Sequence, residues 1–302
     1  MPILIDGKKT AGEIRLRLKE RVERLKKEKG VVPGLSVTLV GDNPASKTYV
    51  SSKDAAAREI GMTAATHLFP ASASEIELRE HLLVQNADPA VHGILLQLPL
   101  PSHLPEEHLL NLISAEKDVD GFHPVSLGNL MLGRPGFKPC TPWGVQVLLK
   151  RYGISTRGKH IVIVGRSNIV GKPLANLFLQ KGESADATVT VCHSATPDLA
   201  YFTRQADILV AAMGRAEFIR GDMVKDGAVV VDVGMNRVED SALPKGYRLC
   251  GDVHFGPVAS KCSAITPVPG GVGPMTIAML LANTVWSAES RTGIPGPVDP
   301  LF

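Results

Sequence analysis

Ile161-Val162-Ile163-Val164-Gly165-Arg166-Ser167-Asn168-Ile169-Val170-Gly171 runs four β-branched residues into a glycine-bearing turn, and a helical pattern over Val170–Gln180 follows. Strand, tight turn and helix open a βαβ unit. The alternation continues with a strand at Thr188–Cys192, a helix near 197–204, and strands at Ile208–Ala212 and Ala228–Val233. Residues 141–272 are therefore expected to form a Rossmann-type domain on a parallel sheet. The turn is not G-x-G-x-x-G, because only Gly165 and Gly171 are present with five residues between them. Its position suits a pyrophosphate lying against a helix N-terminus, but an ordinary tight turn reads the same way.

The end of the second strand narrows the choice. NAD-binding domains place Asp or Glu there to accept from the ribose 2′-OH, and a carboxylate repels a 2′-phosphate. Here Thr188–Cys192 is followed by His193-Ser194, with no acid. Arg166, on the glycine turn, is placed to pair with a phosphate. This pattern favours NADP as cofactor, the alternative being a surface arginine.

Working outward, residues 11–29 have the spacing of an amphipathic helix, with Ile14, Leu18, Val22 and Leu25 on one face. Its Lys and Arg residues are interleaved with Glu, as on a solvated face. A strand is expected at Leu35–Val40, a helix at Lys47–Ile60, a helix at 74–86 and a buried strand at Gly93–Leu98. Strand, helix and strand in this order imply a second α/β domain. Residues 114–142 break the alternation with frequent Asp, Gly and Pro, so a boundary is placed near 140, followed by a helix over about 142–152. The final helix starts after Pro269-Gly270-Gly271-Val272-Gly273-Pro274 and is expected to return to residues 1–140, which makes 273–302 part of that domain. The Pro-rich tail from Gly293 reads as loose.

A chain of 302 residues with 44% hydrophobic and 21% charged residues suits two globular domains and excludes a disordered protein. A net charge of +3 gives no ground for nucleic-acid binding. The four cysteines form no C-x-x-C pair and the nine histidines no ligand pattern, so neither a disulfide frame nor a metal site is expected. No signal peptide and no apolar run long enough to span a membrane is seen, so the expected location is the cytoplasm.

Chemistry in the first half rests on few residues. Tyr49 and Lys53 are four apart on a helix, hence on one face, a spacing equally at home on a half-exposed helix side. Gln97 is a polar residue in the apolar run Gly93–Pro99 and needs a partner, from the protein or from a ligand. Asp118 and Asp120 flank Val119 in the irregular stretch, where carboxylates serve as turn formers or as ligands.

Several stretches together resemble the bifunctional methylenetetrahydrofolate dehydrogenase/cyclohydrolase family. They are Ser46-Lys47-Thr48-Tyr49-Val50-Ser51-Ser52-Lys53, Leu96-Gln97-Leu98-Pro99-Leu100-Pro101, Lys117-Asp118-Val119-Asp120-Gly121 and Pro139-Cys140-Thr141-Pro142. The likeness continues through Val164–Gly171, Asp232-Val233-Gly234-Met235-Asn236-Arg237 and Thr266–Thr276, in order over about residues 1–290. The resemblance implies oxidation of 5,10-methylenetetrahydrofolate with NADP, then hydrolysis of the methenyl product to 10-formyltetrahydrofolate. It gives Lys53 the catalytic role, with Gln97 supporting it, Tyr49 lining the folate and Asp120 holding the pterin. Pro269, Gly270 and Gly273 are implied to complete the substrate site, Gly165, Arg166, Ser167 and Ser194 to bind NADP, and Met235 to pack against it. A homodimer joined through the nucleotide domain is implied too. Two departures are minor: 182–187 reads as a small insertion, and Met235 stands where Ile is common. The competing readings are a same-fold NADP-dependent dehydrogenase limited to one step or acting on another substrate, and a catalytically silent folate- or nucleotide-binding regulator.

Overall fold

The computed structural model describes residues 1–243 and 246–293. In chain order they form β1 (Ile3–Leu4), α1 (Gly7–Lys29), β2 (Gly34–Val40), α2 (Pro44–Glu59), β3 (Thr63–Phe69), α3 (Glu75–Ala87) and β4 (Gly93–Leu96). Next come α4 (Glu106–Leu112), α5 (Pro124–Met131), α6 (Cys140–Arg151), β5 (His160–Val164), α7 (Gly171–Leu179), β6 (Thr188–Cys192), α8 (Leu199–Thr203) and β7 (Ile208–Ala211). The chain ends with β8 (Val229–Asp232), β9 (Asn236–Glu239), β10 (Tyr247–Cys250), α9 (Phe255–Ala259), β11 (Ala264–Ile265) and α10 (Val272–Arg291). These elements fall into two compact units. Among the described residues, the first holds 12–140 and 277–293, and the second holds 1–11, 141–243 and 246–276. The tail expected to be loose lies beyond 293, outside the described residues.

The first unit is built on a parallel sheet in the order β3-β2-β4. Its central strand β2 is buried along its whole length, the polar Ser36 and Thr38 included. In α1 the residues Ile14, Leu18, Val22 and Leu25 are all buried, each contributing about 1.5–3 kcal/mol of hydrophobic stabilisation. Asn43 starts α2 by accepting from the backbone N–H groups of Ala45 and Ser46, with Pro44 at the first helical position. Ser74 and Glu77 form a capping box that fixes the start of α3. The edge strand β3 was not expected. Its residues alternate between exposed and half-buried, so Thr63-Ala64-Ala65-Thr66 shows no apolar run. The irregular stretch at 114–142 also contains α5, begun by His123 and Pro124.

The second unit carries a six-stranded sheet, β1-β11-β8-β7-β5-β6, in which every pairing is parallel. Here the expected partition is corrected at its N-terminus. Ile3 donates from its N–H to the Ser263 carbonyl at 2.8 Å and Ile5 to that of Ile265 at 2.8 Å, so β1 extends this sheet and residues 1–11 group with it rather than with the first half. A two-residue strand is too short to show a period. The antiparallel hairpin β9–β10 stands apart from the main sheet.

Candidate active site

Lys53 is the candidate chemical centre of the first unit. It sits just past the middle of α2 and is only 4% exposed, an unusual place for an ammonium group. Its Nζ donates to Gln97 Oε1 at 2.9 Å. Gln97 lies just past β4, and its own Nε2 donates to the Leu98 carbonyl at 2.6 Å, which turns the amide oxygen toward the lysine. One turn before Lys53 on the same helix, the Tyr49 ring stands with its centroid 4.4 Å from Nζ. Asp120 completes the group. Burial pushes Lys53 below the usual ammonium range, while Asp120 and, less, Cys140 oppose that shift. Burial raises Asp120, and Lys53 and the Cys140 thiol pull it down. Burial, then Asp120, drives the Cys140 thiol well above its ordinary value, so it stays protonated and lies 3.3 Å from the Val119 carbonyl.

The stretch that presents Asp120 is held from both sides. Asp118 accepts from Phe122 N at 3.1 Å, His123 N at 2.8 Å and Ser126 Oγ at 2.8 Å, so this carboxylate is the turn former of the pair. Burial outweighs those donors and lifts it to about 6. Lys117 is also buried and caps the end of α3 by donating to Gln85 O at 3.0 Å and Asp88 O at 2.6 Å. Gly121 turns the chain with φ of 78°, and a Cβ there would meet the Lys138–Pro139 backbone.

In the second unit, β5 and β6 end side by side, with Val164 opposite Cys192. Gly165 N donates to Cys192 O at 2.9 Å, so Arg166 and Ser194 leave the sheet on adjacent strands, and both are exposed. Among the described residues no carboxylate lies within ion-pair distance of Arg166. A Cβ on Gly165 would collide with the Ala212 carbonyl, and one on Gly171 with the Gly165 carbonyl, so the turn is a bare-backbone cradle at the start of α7. Ser167 Oγ accepts from Val170 N at 3.1 Å and Gly171 N at 3.4 Å, shaping that cradle. A guanidinium, a hydroxyl and a helix N-terminus suit a phosphorylated dinucleotide, and no acid stands beside them to repel a 2′-phosphate.

Further along this sheet edge, two buried carboxylates shape the backbone. Asp252 accepts from the N–H groups of Met213, Gly214 and Arg215 at 2.7, 2.9 and 2.8 Å, and from Asn236 Nδ2 at 2.9 Å. Asp232 accepts from Gly234, Asp252 and Val253 N–H groups, each at 2.9 Å, and burial raises it to about 6. Both neighbours of Met235 are therefore pinned, while Met235 itself is 52% exposed. Gly273 opens toward Met235, whose Cε would be 3.8 Å from a Cβ built on the glycine. Gly270 has φ of 108° and its carbonyl accepts from Lys8 N at 2.9 Å, and Pro269 beside it is exposed.

Comparison with known proteins agrees over nearly the whole chain. The model of the tetrahydrofolate dehydrogenase/cyclohydrolase catalytic domain matches residues 5–120, and that of the NAD(P)-binding domain of the same family matches residues 139–292. The chain belongs to the tetrahydrofolate dehydrogenase/cyclohydrolase family. The bifunctional protein FolD of Chloroherpeton thalassium is 56% identical over 289 residues, 95% of this chain and 98% of that protein. The crystal structure of the bifunctional FolD of Campylobacter jejuni is 50% identical and superposes with a TM-score of 0.90, covering 96% of this chain and 100% of that one. The Trypanosoma brucei FolD, solved with NADP and an inhibitor, is 40% identical with a TM-score of 0.91, covering 96% and 98%.

Of the residues singled out by sequence in this family member, Tyr49, Lys53, Gln97 and Asp120 come together in the first unit. Gly165, Arg166, Ser167, Ser194, Met235, Pro269, Gly270 and Gly273 lie in the second. The resemblance gives Cys140 no role, and the structure puts its thiol beside Asp120. Asn283 and Asp252 were overlooked. The signal that exposed Gln97, a polar residue inside an apolar run, is present at Asn283 within Ile277–Val285. Among the described residues, no three His, Cys, Asp or Glu side chains converge as a metal site.

Proposed function

We propose that this chain, as a bifunctional dehydrogenase/cyclohydrolase, converts 5,10-methylenetetrahydrofolate with NADP to 5,10-methenyltetrahydrofolate and hydrolyses that to 10-formyltetrahydrofolate, with Lys53 as the proton-transfer group. The observation that carries this reading is the buried Lys53 amine, 2.9 Å from Gln97 Oε1, with its protonation weakened by burial. NADP, when bound, supplies the acceptor for the hydride that leaves the methylene bridge. Arg166 and Ser194 would hold its 2′-phosphate, and Gly165, Ser167 and Gly171 would form the cradle for its pyrophosphate. Met235 would pack against the cofactor, and Pro269, Gly270 and Gly273 would complete the substrate site.

Hydrolysis needs more from the protein. Water adds its oxygen to the bridge carbon of the methenyl cation and gives up a proton, which neutral Lys53 accepts. The ammonium then returns that proton to the ring nitrogen as its bond to the bridge carbon breaks, and the adduct's hydroxyl releases its own proton to solvent as the formyl C=O forms on the other nitrogen. An amine serves both halves of this cycle when its pKa lies near the working pH, and burial moves it in that direction. Gln97 aims the amine, Tyr49 offers its face to the ammonium and to the substrate ring, and Asp120 holds the pterin while stabilising the ammonium form. The discriminating experiment mixes the protein with methylenetetrahydrofolate and NADP and follows NADPH and methenyl absorbance together. NADPH formation with little methenyl build-up supports the two-step reading. Absence of NADPH defeats it, and stoichiometric methenyl accumulation leaves a dehydrogenase alone.

The chain is further proposed to act as a homodimer in the cytoplasm. Two features support this: β6 is an unpaired edge of its sheet with Val191, Leu179 and Tyr201 exposed nearby in sequence, and the four cysteines are buried and free. No helix among the described residues is long and apolar enough to cross a membrane. Sedimentation equilibrium giving a monomer at micromolar concentration would remove the dimer.

A further inference from the structure

One face of α10 runs alongside the segment that carries Asp120. Asn283, Ser287 and Arg291 are spaced by four and so stand above one another on the helix. Ser287 Oγ donates to the Glu116 carbonyl at 3.1 Å and Arg291 Nη2 to the same carbonyl at 3.4 Å. Asn283 reaches furthest along the segment. Its Nδ2 donates to Val119 O at 2.8 Å and to Lys138 O at 3.0 Å, and lies 3.7 Å from Cys140 Sγ. The Val119 carbonyl is the peptide oxygen joined to Asp120, and Lys138 precedes Cys140 by two residues. A single amide thus ties together the two chain segments whose side chains act electrostatically on Lys53.

This amide is not incidental filling. Asn283 is only 2% exposed, and a buried amide is costly unless its donors are used. Both N–H groups go to irregular backbone outside the sheet, where the Val119 carbonyl also accepts from the Cys140 thiol. The surroundings leave no slack for the loop to settle elsewhere. A Cβ on Gly93 of β4 would come to 2.7 Å from Val119 Cγ1 and 2.9 Å from Thr284 Oγ1. Strand, loop and helix meet there in direct contact.

We propose that Asn283 is a positioning residue for the hydrolytic step: by holding the Val119 and Lys138 carbonyls it sets where Asp120 and Cys140 stand relative to Lys53. It reaches no reacting atom itself and acts through Asp120. The proposal rests on the reading of Lys53 and Asp120 as the working pair. The mechanism is electrostatic. Burial lowers the Lys53 pKa and Asp120 opposes that, so loosening the loop changes the balance that lets one amine both take and return a proton.

The test is a double-mutant cycle on the full-length protein, using Asn283→Leu, Asp120→Asn and the combination, with Ser287→Ala as a control. Asn283→Leu is expected to lower cyclohydrolase kcat by roughly tenfold to a hundredfold, the cost of a misplaced group, and to shift its pH profile. Calorimetric NADP affinity should stay at the wild-type value. In the Asp120→Asn background the same change should have an effect within about twofold, because its target is gone. Ser287→Ala, anchored four residues upstream of Asp120, should keep wild-type kcat and pH profile. Should Asn283→Leu fail to fold, Asn283→Ser retains one donor and is expected to give a smaller, equally non-additive loss. Full additivity of the two changes, or an unchanged pH profile with only a lowered melting temperature, overturns the proposal and leaves Asn283 as a structural anchor. Wild-type activity in Asp120→Asn alone overturns the reading of the site, and the inference with it. A sensitive Asp120→Asn beside a fully active Asn283→Leu overturns the inference alone.

Discussion

Lys53 and Arg166 are both cations that the sequence marked for function, and the protein treats them in opposite ways. Lys53 is 4% exposed, pushed down by burial and given a neutral amide as its hydrogen-bond partner. Arg166 stands exposed at the end of β5, on a turn made of bare backbone. The difference matches the roles proposed for them. A group that must give and take a proton needs a pKa near the working pH, and burying an amine is the direct route to it. A group that holds a phosphate needs a permanent charge, which a guanidinium keeps in any environment. Each unit shapes its loop with a buried carboxylate lifted to about 6: Asp118 in the first and Asp232 in the second. The scaffolding devices are alike and the working cations are not.

Substitutions should separate the two halves. Lys53→Met keeps the apolar stem and removes the amine, and is expected to lower cyclohydrolase activity by about 10²–10⁴-fold, the usual contribution of general acid/base catalysis. Dehydrogenase activity should fall less, so that methenyltetrahydrofolate accumulates visibly, and NADP binding should be normal. Hydrolysis at the wild-type rate would make the lysine structural. Arg166→Ala should show the converse. Loss of a charge-assisted contact, worth about 1.5–3 kcal/mol, weakens NADP by roughly tenfold to a hundredfold and NAD much less, with cyclohydrolase untouched. A wild-type enzyme with equal kinetics on NADP and NAD would break this half of the comparison. Gln97→Ala should reproduce the Lys53→Met imbalance more weakly, because it disturbs only the aim of the amine. Equal loss of both activities would contradict it. Smallest of all, exhaustive EDTA treatment should change neither activity. Recovery by added zinc or magnesium would reveal a site in neither cation's neighbourhood.

The parts of the molecule that could be read in advance share a physical property: their signal is local. The β5 run, the glycine turn and α7 lie within twenty residues, and β6 has the boundaries its pattern gives. Tyr49 and Lys53 share a helix face, so their proximity needs only the helical period. What escaped was set by distant partners or by weak patterns. β1 is two residues long and owes its place to β11, more than 250 residues away. β3 is an edge strand without an apolar run. The neighbourhood of Asp120 depends on Cys140 and Asn283, which the sequence separates by 143 positions and the fold brings within 3.7 Å. Asp118 shows the remaining difficulty. Two carboxylates flanking one valine read alike, and only the donors of Phe122, His123 and Ser126 assign the turn to Asp118 and leave Asp120 facing the lysine.

The account stands or falls on the state of the Lys53 amine. Its titration is accessible by NMR of protein labelled with ¹³C at the lysine Cε, with the Lys53 signal assigned by its loss in Lys53→Met. Burial outweighing Asp120 predicts a midpoint clearly below the ordinary lysine value of about 10.4. In Asp120→Asn the midpoint should fall further, since an opposing charge is removed. A Lys53 that titrates at or above the ordinary value would be a permanent ammonium, and the proton transfer described here would contradict it.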